Sequence, residues 1–209
     1  MFGDRNMIKN LIFDFSDTLC HFGGLKWLRE VTDEEQALRI HRGMFLMPRW
    51  QEYDRGEIST DETREIYVES MLPEDRELAR EYFDCWYKKH FVIEGIPELL
   101  SELKEKGYKL YLLSDYPICF EYVWESFELF DMFDGRGVSY ELHARKREKT
   151  AFPLLLERYG LIAEECFFVD DLYLNTDAAR ECGLGAHLFT TTECLRAELK
   201  ELGRISDTS

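Results

Sequence analysis

Short apolar runs that end abruptly in polar residues indicate the strands of this chain. The runs LIF, LYLL and CFFV stop at Asp14, Ser114 and Asp170. The first of them follows no helix-capping signal, and runs of this length with polar ends are typical of buried parallel strands. Weaker runs at 137–139 and 186–189 predict two further strands.

The segments between these runs have sequences typical of helices. They predict helices at residues 97–106, 120–127, 150–159 and 175–182. Three of these helices are followed by glycines, which favour helix ends: Gly107, Gly160 and Gly183. Alternation of strands and helices predicts an α/β, Rossmann-like fold, in which helices flank a parallel sheet on both faces.

Residues 20–93 differ from the rest because apolar residues recur there at spacings of three and four. This pattern predicts three or four helices. Ser59, followed by a threonine and two acidic residues, predicts the start of one of them. We therefore expect a core formed by residues 1–19 and 94–209, with 20–93 as an inserted helical cap. The tail after Gly203 is expected to be frayed.

Composition and charge limit the partners of such a domain. The chain has 209 residues, with 42 acidic against 26 basic side chains and a formal net charge of -16. That charge repels nucleic acid and anionic lipid, so neither is expected as a partner. The N-terminus lacks the apolar core of a signal peptide, which favours a cytoplasmic location. Six widely spaced cysteines are interpreted as reduced, mostly buried thiols.

Acidic and hydroxyl side chains collect at the ends of three predicted strands. They are Asp14, Asp17, Ser114, Asp115, Asp170 and Asp171. The carboxyl ends of parallel strands form the edge at which doubly wound sheets bind ligands. Carboxylates crowded there would repel one another unless a cation lay among them. Oxygen ligands without histidine or cysteine favour a hard ion, and Mg²⁺ suits a site that also binds phosphate.

Four sequence motifs together resemble a known family. IFDFSDTL, LLSD, the lysine of ARKREK and FVDDLYLN are similar, in this order, to the four motifs of the haloacid dehalogenase superfamily. The resemblance covers essentially the whole chain and includes the position of a helical cap of the C1 type. Several stretches look closest to the branch that contains α-D-glucose-1-phosphate phosphatase.

This resemblance implies a role for each motif residue. Asp14 would be the nucleophile that forms an aspartyl-phosphate and also a metal ligand. Ser114 would bind a phosphoryl oxygen, and Lys146 would offset the charge on the nucleophile and the phosphoryl group. Asp171 would bind Mg²⁺ directly, with Asp170 as a second ligand or as an acceptor for groups around the metal.

The sequence departs from the pattern two positions after the nucleophile. Most phosphatases of the superfamily have a second aspartate there, and this chain has Ser16. The Ser16 carbonyl can still bind a metal, but its hydroxyl is a poor acid, and general acid catalysis contributes about 10²- to 10⁴-fold. We therefore expect a preference for esters with good leaving groups. Ser16, Asp17 and Asp115 are assigned to substrate binding, and Asp17 is also the nearest substitute acid.

The third motif and the cap leave alternatives open. Relatives usually have a proline after the motif lysine, which this chain lacks, so other cations could enter the site instead of Lys146: Arg145, Arg147 and Lys149. Four residues of the cap region are candidates to face the substrate: His21, Arg49, Trp50 and Tyr53.

The sequence thus predicts a Mg²⁺-dependent phosphomonoesterase. Its substrate would be a small phosphorylated metabolite such as a sugar phosphate, and the protein would be a monomer or a small homo-oligomer. One alternative is a catalytically weak protein that only binds phosphate esters, because Ser16 replaces the acid. Another is a metal-independent 2-haloacid dehalogenase, because those enzymes also lack the second aspartate.

Overall fold

A five-stranded parallel sheet forms the centre of the computed structural model, which describes residues 8–201. The strand order is β5-β4-β1-β6-β7. These strands are β1 (Asn10–Phe13), β4 (Lys109–Ser114), β5 (Gly135–Val138), β6 (Cys166–Asp170) and β7 (Gly185–Leu188). The predicted α/β, Rossmann-like fold is confirmed. The predicted frayed tail lies outside the described residues.

Eleven α-helices occur within residues 8–201. They are α1 (Gly24–Val31), α2 (Glu34–Leu46), α3 (Trp50–Asp54), α4 (Thr60–Ser70), α5 (Arg76–Cys85), α6 (Ile96–Glu105), α7 (Phe120–Ser126), α8 (Ser139–Leu142), α9 (Ala151–Tyr159), α10 (Tyr173–Glu181) and α11 (Thr192–Glu201). The helices α8 and α11 were not predicted from the sequence. None of the helices in the described part of the chain is long and apolar enough to span a bilayer.

The two faces of the sheet are covered by different helices. Alternate side chains of a strand point to opposite faces, so Leu11 and Phe13 join one apolar cluster, while Ile12 joins the other. The first cluster includes residues of α6, α11 and the inserted helices. The second includes residues of α9 and α10. This arrangement leaves the carboxyl edge of the sheet open for a ligand.

The register of the sheet aligns the ends of its three central strands. In β1, Asn10 is paired with Lys109 of β4 on one side and with Cys166 of β6 on the other. The backbone N–H of Asp14 donates to the carbonyl of Val169 at 2.9 Å. The residues that follow these strands therefore emerge side by side.

The stretch from residue 20 to residue 93, termed here the helical insertion, contains α1 to α5. Two short antiparallel strands, β2 (Cys20–Phe22) and β3 (His90–Val92), carry the chain into it and out of it. It has five helices instead of the predicted three or four, partly because Pro48 separates α2 from the short α3. Ser59 caps α4 by accepting a hydrogen bond from the N–H of Glu62, as predicted. That the insertion acts as a cap stays a prediction.

The six cysteines are all free thiols. Only Cys20 and Cys166 are buried, whereas Cys194 is exposed and the other three are intermediate. The prediction that most of them are buried is therefore wrong. The cause is their placement at helix ends and in connecting segments, where neighbouring elements cover them incompletely.

Candidate active site

The ends of three central strands meet at a cavity of about 360 Å³. Asp14 follows β1, Ser114 ends β4 and Asp170 ends β6, and all three side chains are buried. Asp14, Ser114 and the adjacent Asp171 line the cavity. The cavity has the size of a small-molecule site and lies at the edge where parallel sheets bind ligands.

Lys146 is the cation at the centre of these carboxylates. Its Nζ donates to Asp14 Oδ1 at 2.6 Å and to Asp170 Oδ2 at 2.7 Å, and the residue is only 2% exposed. The backbone N–H of Lys146 donates to Asp115 Oδ1 at 3.0 Å. Asp115 was assigned to substrate binding, and in the structure it fixes the loop that delivers the lysine.

Asp170 is held in place by donors on every side. Besides Lys146, it accepts hydrogen bonds from the backbone N–H of Leu172 at 2.8 Å and from Asn175 Nδ2 at 3.0 Å. The Asn175 side chain is buried, and its Oδ1 has no partner within residues 8–201. Asn175 also lines the cavity. The first turn of α10 thus orients the carboxylate at the end of β6.

Three carboxylates form a group suited to a hard cation. Oxygen atoms of Asp14, Asp170 and Asp171 all lie within 4.8 Å of one another. An all-oxygen donor set of this kind fits Mg²⁺, which prefers a few carboxylates together with water and phosphate oxygens. Ser16 lies at the cavity beside them, where its carbonyl could add a further oxygen.

The electrostatics of the group follow from its charge count. Three carboxylates face one ammonium group, so negative charge is in excess. Burial raises the pKa of Asp14 to about 7, with Lys146 opposing the rise and Asp170 adding to it. Burial likewise raises the pKa of Asp171 to about 6, and Asp170 contributes. Burial alone would lower the pKa of Lys146, but Asp14 and Asp170 outweigh it and hold that pKa above its usual value.

The other predicted cations lie around Lys146 rather than on the nucleophile. Arg145 Nη2 lies 3.4 Å from a carboxylate oxygen of Asp54, and Arg145 Nε lies 3.6 Å from one of Asp115. Arg147 lines the cavity. Lys149 pairs with Glu181 at the surface. Among the four candidates it is therefore Lys146 whose ammonium group contacts Asp14.

Asp17 lies at the rim of the cavity. Its φ of 57° is left-handed, a conformation that aspartate tolerates better than most residues. Its side chain is about half exposed and accepts a hydrogen bond from the N–H of Phe22 at 3.4 Å. His21 Nδ1 lies at the same distance from Asp17 Oδ1. Asp17 therefore helps to join the nucleophile loop to β2.

Of the four candidates in the cap region, only Trp50 lines the cavity. Arg49 pairs with Glu52 and Glu62 at the surface, where it is 41% exposed. Tyr53 is buried and its hydroxyl lies 3.2 Å from that of Thr60. His21 is exposed and contacts the ring of Phe91 instead.

Sequence reasoning missed Asp54, the most buried acid that the insertion brings to the cavity. It ends α3, and its backbone carbonyl accepts a hydrogen bond from Ser139 Oγ at 2.6 Å. Burial raises the pKa of Asp54 to about 7, with Arg145 lowering it. The signal available in the sequence was weak, since an aspartate near a glycine at a helix end is ordinary.

Sequence reasoning also missed most of an aromatic wall, which lines the same cavity as the carboxylates. This wall consists of Phe22, Phe45, Trp50, Trp86, His90 and Tyr116. Five of these residues come from the insertion or its two strands, and Tyr116 follows β4.

The fold and the strand-end carboxylates define a class of hydrolase. Residues 8–183 match the model of the haloacid dehalogenase-like hydrolase family, and the chain belongs to that family. Among curated proteins it is similar to flavin mononucleotide hydrolase 1 of Arabidopsis thaliana, a protein named as chloroplastic. The two are 24% identical over 150 residues, which are 66% of this chain and 61% of the relative. The matched region thus spans less than two thirds of that relative's length.

Solved structures show the same fold. A HAD family enzyme of Bacteroides thetaiotaomicron has a TM-score of 0.67 and 24% identity, with 92% of this chain and 98% of that chain covered. L-2-haloacid dehalogenase of Xanthobacter autotrophicus has a TM-score of 0.69 and 18% identity, with 93% and 83% covered. At these identities the likeness concerns the fold alone.

Proposed function

We propose that this hydrolase is a Mg²⁺-dependent phosphomonoesterase that acts through an aspartyl-phosphate. The observation that carries the proposal is the ammonium group of Lys146, bound to Asp14 at 2.6 Å and to Asp170 at 2.7 Å, with Asp171 in the same group of carboxylates. A nucleophilic carboxylate beside a fixed cation suits attack on a phosphate ester. Two relatives support the proposal, since one is named a flavin mononucleotide hydrolase and the Bacteroides enzyme was also solved with magnesium and inorganic phosphate.

The reaction would begin with attack by an Asp14 carboxylate oxygen on the phosphorus atom. A bond forms between that oxygen and phosphorus, the bond to the ester oxygen breaks, and the leaving oxygen takes a proton from water. Lys146 would hold Asp14 in position, and Ser114 would donate to a phosphoryl oxygen. Water then cleaves the acyl phosphate, which releases phosphate and restores Asp14.

The metal would be held by Asp14, Asp170 and Asp171, with the Ser16 carbonyl as a further oxygen. When bound, Mg²⁺ would supply positive charge that offsets the charge of the phosphoryl group. The carboxylates account for the fit, because their excess negative charge is balanced only partly by Lys146.

The substrate is proposed to be a small phosphorylated metabolite, with sugar phosphates and flavin mononucleotide as candidates. The first comes from the resemblance to the glucose-1-phosphate phosphatase branch, and the second from the name of the Arabidopsis relative. A cytoplasmic location and the absence of nucleic-acid or membrane partners belong to the same proposal.

Two alternatives are less well supported by the site. A metal-independent dehalogenase has no need for Asp171 beside Asp14 and Asp170, because attack on an alkyl halide requires no cation. A protein that only binds phosphate esters has no need for a buried Asp14 held by a lysine. Release of halide would identify the dehalogenase, and tight binding of a phosphate ester without product would identify the binding protein.

Phosphate release from a panel of esters tests the proposed function. With p-nitrophenyl phosphate, acetyl phosphate, glucose 1-phosphate and flavin mononucleotide, we expect turnover in Mg²⁺ and none in EDTA. Asp171→Asn should lower the apparent affinity for Mg²⁺ by at least about tenfold, because it removes a ligand charge. Asp177→Asn, on α10 but away from the cavity, is the matched control. Equal turnover in Mg²⁺ and EDTA would contradict the metal assignment.

A second prediction concerns the missing acid. Ser16→Asp places a carboxyl group at the cavity and should raise phosphate release from glucose 6-phosphate by about tenfold or more. Acetyl phosphate should change little, because its leaving group needs no proton. The measurement is the ratio of kcat/KM for the two esters. A change of equal size for both would show that the substitution acts in another way.

A further inference from the structure

The lining of the cavity contains two chemically different groups of residues. One group is the carboxylates and cations of the proposed phosphate site, and the other is the aromatic wall. Among the lining residues, the apolar side chains that are not aromatic are only Pro117 and Leu172. A cavity lined in this way offers ring edges and ring faces to the organic part of a substrate, and few aliphatic groups.

The rings of the wall are packed mainly edge to face. Phe45 contacts Phe22, Trp50 and Trp86 at centroid distances of 5.7, 5.1 and 5.9 Å, with interplanar angles of 89°, 73° and 88°. Trp50 and Trp86 meet at 5.7 Å and 61°. Mutual support of this kind fixes the orientation of each ring, so a ligand meets a preformed surface.

Part of the wall differs from the apolar core of the insertion in its burial. Core rings such as Tyr67 and Phe83 are at most 2% exposed and do not line the cavity. In contrast, Phe22, Phe45 and Trp50 are only partly buried. Apolar area that stays open at a cavity is available for a ligand to cover.

Trp86 and Tyr116 anchor this wall to the core of the protein. Their rings stack at 5.0 Å with an interplanar angle of 22°, and both residues are 3% exposed. Tyr116 lies two residues after Ser114, at the end of β4. The wall is therefore held at a fixed position relative to the strand ends that carry the phosphate-site residues.

We propose that the aromatic wall selects phosphate esters whose organic part is a planar aromatic ring. The inference rests on the proposed function, since it takes the carboxylates and cations of the cavity as the phosphate site. Aromatic rings gain from edge-to-face and offset contacts with other rings beyond the burial of their area. A saturated ring of similar size buries similar area but lacks those contacts, so the wall discriminates between the two.

The test compares benzylphosphonate with cyclohexylmethylphosphonate, which differ in the ring and share a phosphonate that cannot be hydrolysed. Dissociation constants for the full chain, measured by titration calorimetry in Mg²⁺, should favour the benzyl compound by about three- to tenfold. Equal constants, or no measurable binding of the benzyl compound, would overturn the inference.

Matched variants test whether the preference for the benzyl compound comes from the aromatic wall. In Phe45→Leu/Trp50→Leu, the preference should fall below about twofold, because apolar area remains while two rings are lost. Trp27→Leu is the control, because Trp27 lies in the same insertion and stacks on Tyr82 away from the cavity. It should keep the wild-type preference. A loss of preference in this control and not in the double variant would also overturn the inference.

Phosphate release from benzyl phosphate and cyclohexylmethyl phosphate separates this inference from the proposed function. Both leaving groups are primary alcohols, so the two esters differ little in leaving-group strength. Equal turnover of both, with equal phosphonate binding, leaves the phosphatase proposal standing and removes ring selectivity. Ring-selective phosphonate binding without turnover of either ester keeps the inference and removes the phosphatase.

Discussion

Asp14→Asn should lower phosphate release by at least about 10⁴-fold, because an amide oxygen cannot form the acyl phosphate at a useful rate. The change preserves the shape of the side chain and an acceptor for the Lys146 ammonium group, now 2.6 Å from Asp14 Oδ1. The fold should therefore persist. The measurement is kcat on p-nitrophenyl phosphate in saturating Mg²⁺, together with the circular dichroism spectrum.

Asp131→Asn is the matched control for this experiment. Asp131 is exposed and does not line the cavity, so its replacement should leave kcat unchanged. Retention of most of the activity in Asp14→Asn would show that a different group attacks phosphorus. Mass spectrometry of the protein after rapid quenching should find added phosphate in the wild type and none in the asparagine variant.

Lys146→Met should lower the free energy of unfolding of the metal-free protein by about 3–5 kcal/mol, because it leaves buried carboxylates without their cation. The methionine side chain is similar in length and fills the space. Added Mg²⁺ should recover more stability in this variant than in the wild type, since Asp14 and Asp170 would then lack the ammonium group that they contact. Urea unfolding with and without Mg²⁺ measures both effects.

Lys149→Met is the control for the lysine at the centre of the site. Lys149 pairs with Glu181, and both side chains are about half exposed. Exposed ion pairs contribute little to stability, so unfolding should change little. Equal effects of the two substitutions would mean that the buried ion pairs of Lys146 are not what stabilises this region.

The residues at the strand ends could be predicted because their signal is local. An apolar run followed by a polar residue indicates both a buried strand and its end, and this was enough to bring Asp14, Ser114 and Asp170 to one edge. The helix α11 was missed, although Thr192 and the apolar residues after it follow an ordinary helical pattern. The short helix α8 was missed as well, and the boundaries of the remaining core elements differ from the prediction by about two residues or fewer.

The part of the cavity formed by the insertion could not be predicted in the same way. Periodicity indicates that a helix has an apolar side, but it does not say which residues lie at the mouth of the core. Asp54 and Trp50 reach the cavity because α3 packs beside α8, and His90 because β3 returns next to β2. These placements depend on contacts between segments far apart in the chain.

The position of β1 in the sheet has a consequence for synthesis of the protein. Asn10 pairs with Cys166, 156 residues later, so the strand preceding Asp14 gains its second neighbour only after most of the chain has been made. At about 5–20 residues per second, translation of that interval takes roughly 8–30 seconds. During this time the apolar strand lacks at least one of its two neighbouring strands. The sheet of a newly made chain can therefore be completed only after β6 has left the ribosome.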